Sequence, residues 1–222
     1  MATIVSQVFP YLAILVFLVG AGYRIGVWAT SPKKLNWKLY PVPEGLVGEA
    51  SYIVGEWISF KMLFKNNRAI WLGSYVFHLS LVASAIWFLL LLLGVNAPWL
   101  SRLAAAGLFF SSIYLFAARL WIPQVRAIST PVEFFNLAIF IAMGGLGWSL
   151  TGRGLSGEMR RWIFSLAGFS PSVLPDEPVL IWFVFLVEFF VAYLPFSKMF
   201  HVASKYFAFH KSRWFNPYEV RG

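Results

Sequence analysis

Residues 70–95 read IWLGSYVFHLSLVASAIWFLLLLLGV. The run holds 26 residues without one Asp, Glu, Lys or Arg, and its only strongly polar side chain is His78. About 20 apolar residues suffice for an α-helix to cross the ~30 Å hydrocarbon layer, where each backbone N–H and C=O must be satisfied within the helix. The stretch therefore reads as a membrane span, and the rest of the chain repeats the pattern. Working outward, a turn at Asn96-Ala97-Pro98 leads to a span over about Leu103–Trp121. Another starts at Pro131 and ends near Leu150, a fifth covers about Val179–Phe200, and the first runs from about Val8 to Trp28. The predicted fold class is an all-α integral membrane protein, a bundle of five transmembrane helices forming one membrane domain over residues 1–222.

Composition agrees. The 222 residues are 59% hydrophobic, 19% aromatic and only 12% charged, against about 25% charged in soluble domains. A net charge of +9 invites a nucleic-acid reading, but the basic residues punctuate the apolar runs instead of forming one block, so no nucleic-acid partner is expected. Cysteine is absent, which excludes disulfides, covalent haem attachment through Cys, and iron–sulfur clusters held by this chain's own thiolates. No basic residue precedes the first apolar run and no A-x-A site follows it, so that run is expected to stay as a span.

Span ends carry their own chemistry. Thr130-Pro131-Val132-Glu133 predicts an N-cap, a proline at the first helical position and a capping-box glutamate. Trp28, Trp71, Trp99, Trp121 and Trp148 lie near span ends, where amphipathic rings favour the interface. Gly20, Gly22, Gly144, Gly145 and Gly147 read as sites of close helix approach. On one side of the predicted membrane stand Arg24, Lys33, Lys34, Lys38, Lys61, Lys65, Arg68, Arg119, Arg126, Lys198, Lys205, Lys211, Arg213 and Arg221. On the other stand Arg102, Arg153, Arg160 and Arg161, which makes fourteen against four. The N-terminus is thus expected outside and the C-terminus in the cytoplasm, in a multi-pass protein of the cell's inner membrane.

Between the first two spans, about residues 44–64, Leu46, Ala50, Ile53, Val54, Trp57, Phe60 and Phe64 recur at helical spacing with Glu49 and Glu56 off the stripe. This predicts a helix on the inner membrane surface, a docking shelf for a soluble partner, or both. Residues 152–178 carry a smaller patch, Trp162, Ile163, Phe164 and Leu166, consistent with a short surface helix.

Histidine is scarce, so its placement carries weight. His78 lies seven residues beyond Trp71, roughly 10 Å into its span at 1.5 Å per residue. His201 lies at the same end of the fifth span, after Pro195 and Lys198. Two imidazoles at matching depth on different helices can supply both axial nitrogens of a haem iron. The blander alternative is that each is a polar group satisfied by a neighbouring helix. Arg24, Arg68 and Lys198 are placed to meet haem propionates. Pro195 removes a helix hydrogen bond and can re-aim His201. His210, in a polar tail, is expected to meet solvent. Glu188 is the carboxylate deepest in a span. An unbroken helix would turn it about 140° away from His201, and it suits either a quinol proton step or a helix–helix hydrogen bond.

Several segments together resemble a known family: Arg24-Ile25-Gly26-Val27-Trp28, Leu63 to Ser74 (LFKNNRAIWLGS) running into Phe77-His78-Leu79, Val125-Arg126-Ala127, and Pro195-Phe196-Ser197-Lys198-Met199-Phe200-His201. They resemble the gamma subunit of respiratory nitrate reductase, and most of all its relatives in heterodisulfide-reductase-like and sulfite-reduction-associated complexes, over nearly the whole chain. The resemblance implies that His78 and His201 are the axial ligands of an inner haem b. It also implies a second, outer haem, whose ligands would fall on Phe88, ten residues after His78, and Phe183, eighteen before His201. The expectation is therefore one haem b. In an unbroken helix Phe183 and His201, five turns apart, would share a face. Quinone, with menaquinone the expected type, would bind near Phe88 and Phe183, with Glu188 and Arg102 as weaker contacts. The implied role is an electron-transfer subunit, not a complete enzyme, linking the quinone pool to cytoplasmic iron–sulfur oxidoreductase subunits, with further membrane or outer-face carriers as partners. The competing readings are a cofactor-free scaffold that tethers a partner complex and, third, a transporter, which the scarcity of intramembrane charge disfavours.

Overall fold

The computed structural model describes residues 2–31, 45–201, 203 and 204, and among these the regular structure is helical throughout. In chain order the helices are α1 (Ala2–Gln7), α2 (Phe9–Thr30), α3 (Leu46–Ser59), α4 (Lys61–Asn66), α5 (Arg68–Leu92), α6 (Pro98–Trp121), α7 (Pro123–Ala127), α8 (Pro131–Leu150), α9 (Ser156–Ala167) and α10 (Pro178–Tyr193). Two 3₁₀ turns follow, Leu194–Phe196 and Lys198–Phe200. Five stretches are long and apolar enough to cross a membrane: Phe9–Thr30, Arg68–Leu92, Pro98–Trp121, Pro131–Leu150 and Pro178–Phe196. At 25 residues α5 is about 37 Å long, sufficient for the hydrocarbon layer with some tilt. Lys33, Lys34, Lys38, Lys205, His210, Lys211, Arg213 and Arg221 lie outside the described residues.

The chain divides into two compact units, one of Met1–Ala13 with Leu63–Phe190, the other of Ile14–Met62 with Val191–Gly222. In the first, α5, α6 and α8 pack side by side, and glycine sets how close they come. A methyl group on Gly73 would run into the Tyr114 ring, whose hydroxyl donates to the Ala69 carbonyl. On Gly144 it would lie 2.7 Å from the Phe109 backbone nitrogen, so α6 and α8 meet nearly backbone to backbone. Gly147 seats the Phe183 ring of α10. Gly22 meets nothing within 4 Å, so its expected packing role is absent among the described residues.

The ends of these helices are chemically explicit. α5 closes in a Schellman motif: Val95 N–H reaches the Leu90 carbonyl at 2.9 Å, Gly94 N–H the Leu91 carbonyl at 3.0 Å, and Gly94 takes the left-handed φ of 79° that favours glycine. Arg160 Nε adds a bond to the Leu92 carbonyl at 3.1 Å. At the start of α8 the capping box is formed, with Thr130 N–H donating to Glu133 Oε2 at 2.7 Å. Trp162 of α9 is a core residue, not a surface one. It packs with Val5, Leu174, Leu180, Ile181 and Val184, and its indole N–H donates to the Ser6 carbonyl at 2.9 Å. Outward on α5, Leu72, Leu79, Val82, Ile86 and Leu89 form an exposed apolar stripe opposite the buried Gly73, Phe77 and Ser80. A bilayer, whose interior is as apolar as leucine, covers such a face at no cost.

The expected amphipathic segment is two helices, the first in the second unit and the other crossing the boundary at Met62. Phe60 takes a left-handed φ of 49° between α3 and α4, and its N–H caps α3 on the Glu56 carbonyl at 3.0 Å. Val47, Val54 and Ile58 of α3 are exposed, while the side chains of Leu46, Glu49 and Trp57 lie outside the described set.

Candidate functional site

His78 sits in the unbroken α5, half-buried, with its ring edge-on to Phe77. Its Nδ1 lies 2.7 Å from the carbonyl oxygen of Ser74, one turn earlier. A carbonyl only accepts, so Nδ1 carries the proton, and in the neutral ring the lone pair is on Nε2. This is the tautomer a metal-binding imidazole needs, fixed as such ligands are commonly fixed, by an N–H bond to a backbone oxygen.

His201 is positioned differently. α10 ends at Tyr193, and the expected continuation to Phe200 is replaced by the two 3₁₀ turns. Pro195 lacks the N–H a continuing helix needs, and its ring clashes with the carbonyl four residues back. Ser197 rebuilds the start of the second turn, its hydroxyl accepting from Met199 N–H at 3.1 Å and donating to the Leu194 carbonyl at 3.0 Å. With the helix broken, the fixed 140° and five-turn offsets relating Glu188 and Phe183 to His201 no longer apply.

The carbonyls exposed by this break are held from α2. Arg24 Nη1 donates to the Pro195 carbonyl at 2.6 Å and the Ser197 carbonyl at 3.3 Å, and its guanidinium lies 5.3 Å over the Trp28 ring. Phe200 sits between Trp28, stacked at 5.9 Å, and Phe17, edge-on at 6.3 Å. Gly20 leaves room for Pro195 and Phe196; a Cβ there would lie 3.0 and 2.8 Å from them. Beside the propionate role expected of it, Arg24 thus builds a seat for this turn that its charge alone does not reveal. A signal existed: Phe17, Gly20, Arg24 and Trp28 follow one another at three- and four-residue spacing, which puts them on one helix face. His201 itself is exposed, and its carbonyl accepts from Ser204 Oγ at 3.2 Å.

The other candidates fall on both units. Arg68 opens α5 with its guanidinium 4.9 Å over Phe64, and Lys198 is exposed on the second 3₁₀ turn. Phe88 is on α5 and 41% exposed, whereas Phe183 packs on Gly147. Arg102 Nε reaches Thr151 Oγ1 at 3.4 Å, joining the adjacent ends of α6 and α8. Glu188 is buried at 7% exposure, and neither carboxylate oxygen has a hydrogen-bond partner among the described residues, so the helix–helix bond considered for it is not made there. His78, Phe88, Phe183, Glu188, Arg68 and Arg102 thus belong to the first unit, and Arg24, Lys198 and His201 to the second. Among the described residues no three His, Asp or Glu side chains group to hold a bare metal ion.

No family model matches the chain. Among curated proteins it is similar to the Hdr-like menaquinol oxidoreductase cytochrome b-like subunit of Archaeoglobus fulgidus, at 23% identity across 92% of this chain and 78% of that subunit. The chain, with its five membrane-length helices, is a distant homologue of that subunit.

Proposed function

We propose that this protein is a haem b membrane subunit that exchanges electrons between quinol and a cytoplasmic iron–sulfur oxidoreductase. The observation that carries the reading is His78: an imidazole inside a membrane-length helix whose Nδ1–H is committed to a backbone carbonyl, which in the neutral ring puts the lone pair on Nε2. The name of the distant archaeal relative supports the link to menaquinol and to a larger complex. His78 and His201 would hold the iron. Arg68, Lys198 and the remaining donors of Arg24 would balance the propionates. When bound, the haem supplies one-electron transfer at an iron saturated by two imidazoles.

With Phe88 and Phe183 where a second pair of ligands would fall, the chain holds one haem b. The half-exposed Phe88 ring offers a quinone an apolar platform, with Phe183, Arg102 and Glu188 as further contacts. The excess of basic residues on one side supports a cytoplasmic C-terminus in the inner membrane, and clusters must come from partner subunits because the chain has no cysteine.

The test is a reduced-minus-oxidised spectrum of the purified, haem-replete chain. A b-type alpha band and one haem per chain by pyridine haemochrome are expected, and absence of the band sinks the proposal. Co-purification in mild detergent should bring iron–sulfur subunits with it.

A further inference from the structure

Glu188 points to a second activity that owes nothing to haem. It continues the buried stripe Leu180–Val184–Glu188, spaced by four residues on the inner face of α10, and both its oxygens are unmatched among the described residues. Asn136 of α8, 5% exposed, has an unmatched Oδ1. Asn136 follows Phe135, Glu188 precedes Phe189, and those two rings are 6.4 Å apart; Phe140 and Phe190 meet at 4.9 Å. The two polar groups therefore occupy nearly the same level of facing helices. On α6, Ser112 and Arg119 lie on one face on either side of Phe116, whose ring meets Phe134 of α8 at 5.2 Å. The Ser112 hydroxyl and Arg119 Nε are both buried and have no hydrogen-bond partner among the described residues.

Three neighbouring helices thus bring unmatched polar atoms to one region of a single compact unit. Each such atom costs about 1–3 kcal/mol if left unmade, and folded proteins retain few of them without a water or ligand to satisfy them. The chemistry narrows what satisfies this set. An ionised carboxylate and an amide oxygen are both acceptors and cannot serve each other. A water, or a proton on the carboxyl, supplies the missing donor.

We propose that Glu188 and Asn136 form a buried, water-containing proton-exchange site, reached from the end of α6 and α8 that carries Arg119 and Glu133. Glu188 takes up a proton from an internal water, which is reprotonated from the aqueous phase past Asn136, and the reverse step returns it. No carbon bond changes and no oxidant is needed. Use of this proton in quinol chemistry would rest on the function proposed above; the site itself does not.

Infrared spectroscopy on the full chain in lipid nanodiscs, transferred from H₂O to D₂O, tests it. The expected result is a carboxylic-acid C=O band that shifts on transfer and is removed by Glu188→Gln, with Asn136→Leu slowing the shift about tenfold. Should Glu188→Gln not fold, Glu188→Asp is expected to move the band instead. A wild-type spectrum with no exchanging carboxylic-acid band, or one that Glu188 substitutions leave in place, overturns the proposal, as does exchange at an unchanged rate in Asn136→Leu. Haem content does not enter this readout, so its outcome is separate from that of the spectral test above.

Discussion

The two histidines are held in contrasting ways. His78 is oriented by its own helix: one turn of α5 supplies the carbonyl for Nδ1, and the glycine-lined contacts with α6 keep that helix in place. His201 follows a break, and its approach is anchored by a different stretch of chain, the Gly20–Arg24–Trp28 face of α2. The first arrangement is local and rests on a backbone carbonyl, so changes to the side chains of that turn should leave it in place. The second depends on a few long-range contacts, so single substitutions should disturb it. A ligand pair built this way would have one rigid member and one adjustable member.

The comparison can be broken most severely at the rigid end. Gly144→Leu has no space beside the Phe109 backbone and should separate α6 from α8, costing about 3 kcal/mol or more. Loss of a monodisperse peak in detergent is the expected readout, and a normal peak would refute the close-approach argument. Either His78→Ala or His201→Ala should abolish haem binding while leaving the peak intact; a variant that keeps its haem disproves the assignment for that residue. Arg24→Ala comes next. It strands two carbonyls that now receive a charged donor, worth about 1.5–3 kcal/mol. It should raise proteolysis after Tyr193 and weaken haem retention, with no change in the α5–α6 contact followed by a crosslink between them. Gly20→Ala should do the same at about 1 kcal/mol, since the Phe196 ring is exposed and can give way. At the small end, Ser74→Ala leaves the carbonyl that holds His78 and should change thermal stability by no more than about 0.5 kcal/mol. A large effect there would mean that the Ser74 side chain, not the backbone, orients the imidazole.

How much of this was legible beforehand varies by residue. The capping box at Thr130 and Glu133 and the turn before Pro98 were readable because their bonds link residues near in sequence. Pro195 announced a break but not its form. Trp162 was misjudged as part of a surface patch because a short helix with Arg160 and Arg161 beside apolar residues looks superficial until its partners, Val5 and Leu180, are known. Arg24 is legible by charge alone, and only packing reveals that the Pro195 and Ser197 carbonyls engage its Nη1.

Composition and hydrophobic run length by themselves determined five membrane-length helices, the absence of thiolate chemistry and the presence of one histidine, His78, inside such a helix. They could do so because a bilayer imposes its requirement residue by residue, whatever the neighbours. Only the tertiary structure decided that, among the described residues, Gly144 is a contact and Gly22 is not, that Arg24 braces the approach to His201, and that Glu188 is buried with no partner there. Those properties depend on which atoms of distant segments meet, and no local pattern in the chain encodes that meeting.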